Sequence, residues 1–358
     1  MARKRGELPM AVIWSFPGEE NRKSNPYTST LIAELRNLGH VAFSPDWPRR
    51  LLGRCDIIHL HWPQKVVQDS LPRSLRSIAL WLAFLALQKA RGARIVWTIH
   101  NAASHEAHRP RLERWWMTRL LGLVDGIHAL SDISLREAGV IYPAVTAKHR
   151  LVAPHWTYDG AYPAAAQRPE GPETIAFLGD LKAYKGLDAL LAALESAPPD
   201  SRHYLVHGLP ADGLDPETLT ARLQALRRRG WHIDYVLERL SDQEMADRLA
   251  QSRLLVLPYH SGENSGLAVL AAERGTPMLV SALPAFEPML EELGAPRAAV
   301  IEGPLTHAQI ARAFEDARDV AGKVDREFVA RRAPGRIVRE ISNYYLFLME
   351  QGTPSPQR

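Results

Sequence analysis

Apolar residues along this chain fall into two alternating patterns. Short runs of consecutive apolar residues suit strands buried on both faces of a parallel sheet. Between them lie longer segments with apolar positions every three or four residues, the period of a helix with one covered face. In the first half the strand-type runs fall at 11–16, 41–44, 56–61, 94–100, 126–130 and 150–153. The helix-type segments there are 26–38, 71–91, 109–122 and 132–138. Residues 161–174, rich in Pro, Ala and polar side chains, interrupt the alternation and suit an exposed linker. The alternation then restarts, with strands at 174–178, 203–206, 232–237, 254–258, 277–280 and 298–301. Helices are expected at 186–195, 216–229, 242–252, 265–274, 307–321 and 337–350. The pattern predicts an α/β chain of two doubly wound domains, 1–160 and 174–335, with a linker at 161–173 and a last helix and frayed tail at 336–358.

Composition narrows the class. The chain has 358 residues, of which 46% are apolar, enough for two cores. A single cysteine, Cys55, excludes an internal disulfide and fits a reducing compartment. The net charge of +4 is the small difference between 44 basic and 40 acidic residues, which are interleaved, and no nucleic-acid motif appears. The basic start, residues 1–9, leads into a short strand and not into a signal-peptide core. The longest apolar run, residues 78–87, is about half of a bilayer span. A cytoplasmic protein, soluble or peripheral to a membrane, is expected.

Two segments of the second half join a strand end to a helix start. One is Gly179 to Gly186, with Lys182 and Lys185; the other runs from Pro258 to Leu267, with Glu263, Asn264, Ser265 and Gly266. Backbone N–H groups at a helix start attract anions, and a lysine beside them adds charge. Either segment alone could be an ordinary turn with solvated side chains; two in one half suggest a nucleotide diphosphate. In the first half, one strand ends at His100 and Asn101, with His105 and Glu106 in the loop, and another ends at His61 and Trp62. Doubly wound domains keep their sites at such strand ends. A lone histidine is more often structural, but this gathering points to substrate contact by at least one of them.

Together these residues resemble glycosyltransferases of the GT-B fold, which have two facing Rossmann-like domains with a cleft between them. Within that group they look most like bacterial exopolysaccharide β-mannosyltransferases of the xanthan type, which act on lipid-linked acceptors. The motifs that carry the likeness are Asn25 to Tyr27, His59 to Pro63, Val96 to Asn101 with His105 and Glu106, Pro154 and His155 with Tyr158, Tyr162 and Pro163, Tyr184 to Gly186, Pro258 and Tyr259, and Asn264 to Gly266 with Gly275 and Pro277. The resemblance implies that Gly179, Lys182, Lys185, Asn264, Ser265 and Gly266 bind the donor phosphates or ribose. It places Glu263 and His100 against the donor sugar, and returns the final helix to the first domain. It implies GDP-mannose as donor (a UDP-sugar being the alternative), a lipid-linked glycan acceptor, an anionic membrane surface at the inner face of the plasma membrane as partner, and no metal or further cofactor. A non-catalytic sugar- or lipid-binding module is the alternative outside enzymes.

Several positions depart from the pattern. Retaining relatives carry a second glutamate eight residues after the first; here that position is Ala271, and the nearest carboxylate is Glu273. That favours inversion. Gln64 stands where the resembled group has glutamate, which excludes it as a base. An inverting transfer needs a base on the acceptor side. Glu106 is the first choice, with His105, His100 and Asp46 as rivals, and His61, Trp62 and Asn101 are expected to contact the acceptor. The segment 109–121 carries Arg111, Trp115, Trp116 and Arg119. It reads either as a membrane-interface helix or as one that simply covers the sheet.

Overall fold

The computed structural model describes residues 10–101, 109–165 and 174–351, except 24, 68, 69, 212, 213 and 263. The chain divides into two compact units: residues 1–156 with 332–358, and residues 157–331.

Unit 1 has a parallel sheet of β1 (Val12–Phe16), β2 (Val41–Phe43), β3 (Ile57–Leu60), β4 (Arg94–Ile99), β5 (Gly126–Ala129) and β6 (His149–Val152). Its helices are α1 (Tyr27–Asn37), α2 (Trp47–Leu52), α3 (Leu71–Ala90), α4 (Pro110–Leu123) and α5 (Asp132–Ile141). Strand order is β2-β1-β3-β4-β5-β6, so the direction of winding switches between β1 and β3. Every residue of β3, β4 and β5 is buried, because helices cover both faces. One face packs Trp14, Trp97, Phe84 and Trp116; the other packs Tyr27, Leu31 and Trp156.

Unit 2 repeats the design with β7 (Thr174–Leu178), β8 (His203–His207), β9 (His232–Val236), β10 (Ser252–Leu257), β11 (Met278–Ser281) and β12 (Ala298–Ile301). Its helices are α6 (Leu187–Glu195), α7 (Pro216–Arg228), α8 (Asp242–Gln251), α9 (Gly266–Glu273), α10 (Glu287–Leu293), α11 (His307–Asp316) and α12 (Arg326–Arg331). The order β12-β11-β10-β7-β8-β9 puts its switch between β7 and β10. Reciprocal capping boxes start α8 (Ser241 with Glu244) and α11 (Thr306 with Gln309), each satisfying two backbone donors.

The last helix, α13 (Pro334–Glu350), belongs to unit 1. Its buried positions include Ile337, Val338, Ile341, Tyr344, Tyr345 and Leu348, a helical stripe laid on α1 and the sheet. Polar ties fix its register. Ser342 Oγ meets His40 Nε2 at 2.7 Å, and the Tyr344 hydroxyl donates to the His149 carbonyl at 2.7 Å.

All twelve of these strands coincide, to within one or two residues, with apolar runs in the sequence. Three short helices, α2, α10 and α12, have no counterpart among the expected segments. At six or seven residues each they are too short to show a period. Residues 161–163, assigned by composition to a linker, pack on unit 2. The Arg274 guanidinium donates to the carbonyls of Tyr162 and Pro163 at 3.1 and 3.0 Å, and Tyr162 stands edge-on to Tyr158.

Candidate active site

The two glycine-bearing segments of unit 2 follow β7 and β10, the strands that flank its switch point. Adjacent carboxyl ends at a switch point open a crevice for ligand. The turn after β7 opens with Gly179 at φ +92° and closes with Gly186 at φ +72°, both left-handed. A Cβ on Gly186 would overlap the Pro258 carbonyl, so only glycine lets the two loops meet. The His260 amide then donates to the Tyr184 carbonyl at 2.7 Å, lacing one loop to the other. Against this floor lies the Lys185 ammonium, 3.6 Å from where a Gly179 Cβ would sit, and Leu267 of α9 borders the same spot. Burial lowers the Lys185 pKa to about 8, although Asp180 opposes the shift. Lys182 is half-buried one turn earlier, and Asp180 is within 3.7 Å of Arg239.

Helix α9 begins beside this lysine. Ser265 caps it, its hydroxyl accepting from the Ala268 amide at 3.3 Å, and the amides of Gly266 and Leu267 form the helix's first turn. Asn264 is half-buried just before the cap; Glu263 lies outside the described residues. The other side of α9 is core. Ala268 to Ala272 are all buried, Ala271 completely. Glu273 turns its carboxylate to the Tyr158 amide at 2.6 Å, and burial raises its pKa. It serves packing within unit 2.

In unit 1 the strand ends at the switch carry histidines. His61, just after β3, and His100, just after β4, meet at 3.3 Å between Nδ1 and Nε2. Trp62 stacks on the His100 ring at 4.2 Å, and Tyr27 meets it edge-on at 4.6 Å. Below them His59, Thr98 and His128 form a second row: His59 Nε2 is 2.5 Å from Thr98 Oγ1, which is 3.0 Å from His128 Nδ1. Burial is the first cause that holds His59, His61 and His100 well below their usual pKa, and His128 and His155 at about 4. These imidazoles are neutral hydrogen-bonding groups at neutral pH. Among the described residues no group of three His, Cys, Asp or Glu is arranged to hold a metal ion.

Asn101 is anchored by its carbonyl, which accepts from the Gln64 side chain at 2.9 Å. Gln64, excluded as a base, thus ties down the start of the following loop. His105 and Glu106 lie outside the described residues. Asp46 caps α2 through the Arg49 amide at 3.2 Å. Beside Trp62, a cavity of about 360 Å³ is lined by residues that include Phe16, Glu20, Arg50, Lys65 and Trp81. Arg50 lies over the rings of Phe16 and Trp81, and Lys65 over Trp62.

One membrane-interface expectation is corrected. Trp116 is fully buried, its indole N–H donating to the Pro63 carbonyl at 2.8 Å. Adjacent residues on a helix point about 100° apart, so Trp116 faces the sheet while Trp115 faces outward. Trp115 is 43% exposed, with Arg119 over its ring. Arg111 is also exposed. Among the described residues no helix is long and apolar enough to cross a membrane.

The sequence reading missed Ser15, Thr98, His128, Arg50, Trp81 and Tyr345. The first three had a signal: each is a polar residue inside an otherwise apolar strand. Register pairs Ser15 with His59 and, two residues further along the sheet, Thr98 with His128; the contact of His59 Nε2 with Thr98 Oγ1 joins the two levels.

Two doubly wound units, each a six-stranded parallel sheet between helices, have the GT-B fold of many sugar-transferring enzymes. Residues 160–320 match the family described as Glycosyl transferases group 1, and the chain is a glycosyltransferase carrying that domain. Over 330 residues it is 26% identical to a GDP-mannose:glycolipid 4-beta-D-mannosyltransferase of Xanthomonas campestris pv. campestris, covering 91% of this chain and 86% of that one. Among solved structures, sucrose-phosphate synthase from Thermosynechococcus elongatus superposes with a TM-score of 0.67 at 15% identity, covering 95% of this chain and 99% of that one. A glycosyltransferase from Rickettsia africae gives 0.64 at 12% identity, covering 96% and 100%. These two likenesses concern fold alone.

Proposed function

We propose that this protein is an inverting mannosyltransferase that moves mannose from GDP-mannose onto a lipid-linked glycan in exopolysaccharide assembly, working at the inner face of the plasma membrane. The observation that carries the transfer chemistry is Lys185, kept on a buried floor of glycine turns at the start of α9 despite the cost of burying its charge. A departing nucleoside diphosphate is the partner that repays such a placement. Lys182, Asn264 and the amides of Gly266 and Leu267 complete its cradle, and Glu263 is assigned to the donor sugar. The donor and acceptor classes follow the name of the Xanthomonas relative.

Unit 1 takes the acceptor. The aromatic walls and paired charges of the cavity beside Trp62 suit a sugar, whose faces are apolar and whose rim is polar. Glu106 removes the proton of the attacking hydroxyl. That oxygen bonds to the anomeric carbon from the face opposite the nucleotide, and the bond to the diphosphate breaks as the electron pair leaves with it. Ala271 supports inversion, because this helix offers the site no second glutamate. No metal is needed where lysines and amides meet the leaving charge. Trp115, Arg111 and Arg119 rest on anionic lipid.

The test is a panel of nucleotide sugars incubated with membrane glycolipid extract, scored for acceptor-dependent nucleoside diphosphate release and for product anomeric configuration. GDP-mannose giving a β-linked product is the expected result. Release with only another donor, or an α-linked product, overturns the donor or the stereochemistry respectively. Glu106→Gln should bind donor and abolish transfer; retained transfer places the base elsewhere.

A further inference from the structure

The loops after β7 and β10 are joined near their strand ends by backbone. The Pro258 carbonyl fills the space over Gly186, and the His260 amide donates to the Tyr184 carbonyl at 2.7 Å. A third link is made of side chains. His260 Nε2 lies 3.0 Å from Asp188 Oδ1, across 72 positions of sequence. An ionised carboxylate only accepts, so the imidazole donates. Local structure aims both groups. Tyr259 is buried, edge-on to Tyr184 at 6.0 Å and against Phe286 at 5.7 Å, and His260, next along the chain, faces outward. Asp188 stands in the first turn of α6, where unpaired amides favour a carboxylate. Arg222 of α7 also acts on Asp188 by charge, but it is itself held by both oxygens of Glu195 at 2.9 Å.

The pair is too exposed to serve the fold. With 52% of the His260 side chain and 61% of the Asp188 side chain in water, an ion pair adds little to global stability. Its effect is local. Gly262, at φ +145°, puts a soft joint between His260 and the Ser265 cap of α9. A clasp at His260 shortens the stretch of loop that is left to that joint. We propose, on the reading of these loops as a nucleoside-diphosphate site, that Asp188 and His260 are positioning residues. Their clasp holds the loop after β10 against the turn after β7, so that Lys185 and the first amides of α9 meet one diphosphate at a set spacing. The clasp adds no contact to the donor. It removes part of the entropy lost when the donor orders the loop. Such a gain is the same for ground state and transition state, so it acts on donor KM and leaves kcat alone.

The sign of one substitution separates the clasp from simple charge. A diphosphate repels a carboxylate, so charge alone makes Asp188→Ala bind GDP more tightly. The clasp makes it bind more weakly. Calorimetric titration of the full chain with GDP, and in parallel with UDP, reads this without turnover. Asp188→Ala and His260→Ala should each weaken nucleotide binding about 5–10-fold, and the double variant no further. Asp188→Asn keeps the accepting oxygen, and His260→Gln puts an amide N–H near the place of Nε2; each should restore most of the affinity. Hydrogen exchange of residues 258–267 without nucleotide should quicken several-fold in the two alanine variants and not in the amide variants. With GDP-mannose and glycolipid acceptor, donor KM should rise by the same factor as the nucleotide affinity falls, with kcat within about two-fold. Tighter or unchanged binding by Asp188→Ala, additive losses in the double variant, or a fall in kcat alone overturns the clasp. Exchange unchanged in all variants overturns it whatever the ligand is. A wild type that binds neither GDP nor UDP overturns the nucleoside-diphosphate reading instead, and the exchange result then decides whether the loop is clasped.

Discussion

The two units share six parallel strands and a switch point, yet they equip that point in opposite ways. Unit 2 uses charge: a lysine pressed onto glycine turns beside a helix start. Unit 1 uses neutrality: imidazoles buried together so that none of them protonates at neutral pH. The difference is what the proposed division of a sugar transfer between the two units requires. A leaving diphosphate needs fixed positive charge, whereas hydroxyls need donors and acceptors of defined direction.

Acid should break the comparison most strongly. His128 and His155 titrate near 4 in the fold, against about 6.5 in an unfolded chain. Between those values the unfolded chain binds more protons, so stability is full near pH 7 and falls as pH drops towards 4. At pH 5 each of the two costs about 2 kcal/mol, and the other buried histidines add to the loss. Hydrogen exchange followed from pH 7 to 5 should show unit 1 opening before unit 2. Simultaneous opening would deny the histidine cluster its role.

Next in size is Lys185→Ala, which should lower kcat/KM about 10²–10³-fold while urea unfolding shows an intact fold. Unchanged donor kinetics would remove the lysine from the phosphate site. Lys185→Met should separate function from stability. Burial disfavours the charged lysine, so at pH 7 the variant should be more stable by about 2–3 kcal/mol. The gap should narrow as pH rises from 8 towards 10, where the folded lysine is already neutral and the unfolded one is still charged. A gap independent of pH would point to packing instead. The smallest effect concerns the outer face of unit 1. Trp115→Ser should weaken retention on anionic vesicles several-fold with under about 1 kcal/mol change in stability. Trp116→Ser, by contrast, should cost several kcal/mol in folding because it empties a core position. Equal vesicle retention of wild type and Trp115→Ser would discard the membrane contact.

The strands were legible because burial on both faces makes apolar runs continuous, as in Ile175 to Leu178 or Leu254 to Leu257. Lys185 was legible because a strand, a glycine turn and a helix follow one another within a dozen residues. The histidine rows were only half legible. His59, His61 and His100 stand in recognisable motifs, but Ser15 and Tyr345 are 330 residues apart in sequence and meet the same cluster through the fold alone. Trp115 and Trp116 looked equivalent as neighbours in a basic segment. Only the phase of α4 against the sheet separates them, and a run of arginines does not set that phase.

The return of α13 makes unit 1 a composite of both ends of the chain. During synthesis, residues 157–331 emerge as one uninterrupted stretch and can fold as soon as they leave the ribosome. The six strands made before them must wait, with one flank of the sheet uncovered and His59 lacking the Tyr345 hydroxyl, until α13 has been made. A stop before Pro334 would therefore injure unit 1, whose strands were made first, and spare unit 2, which was made after them.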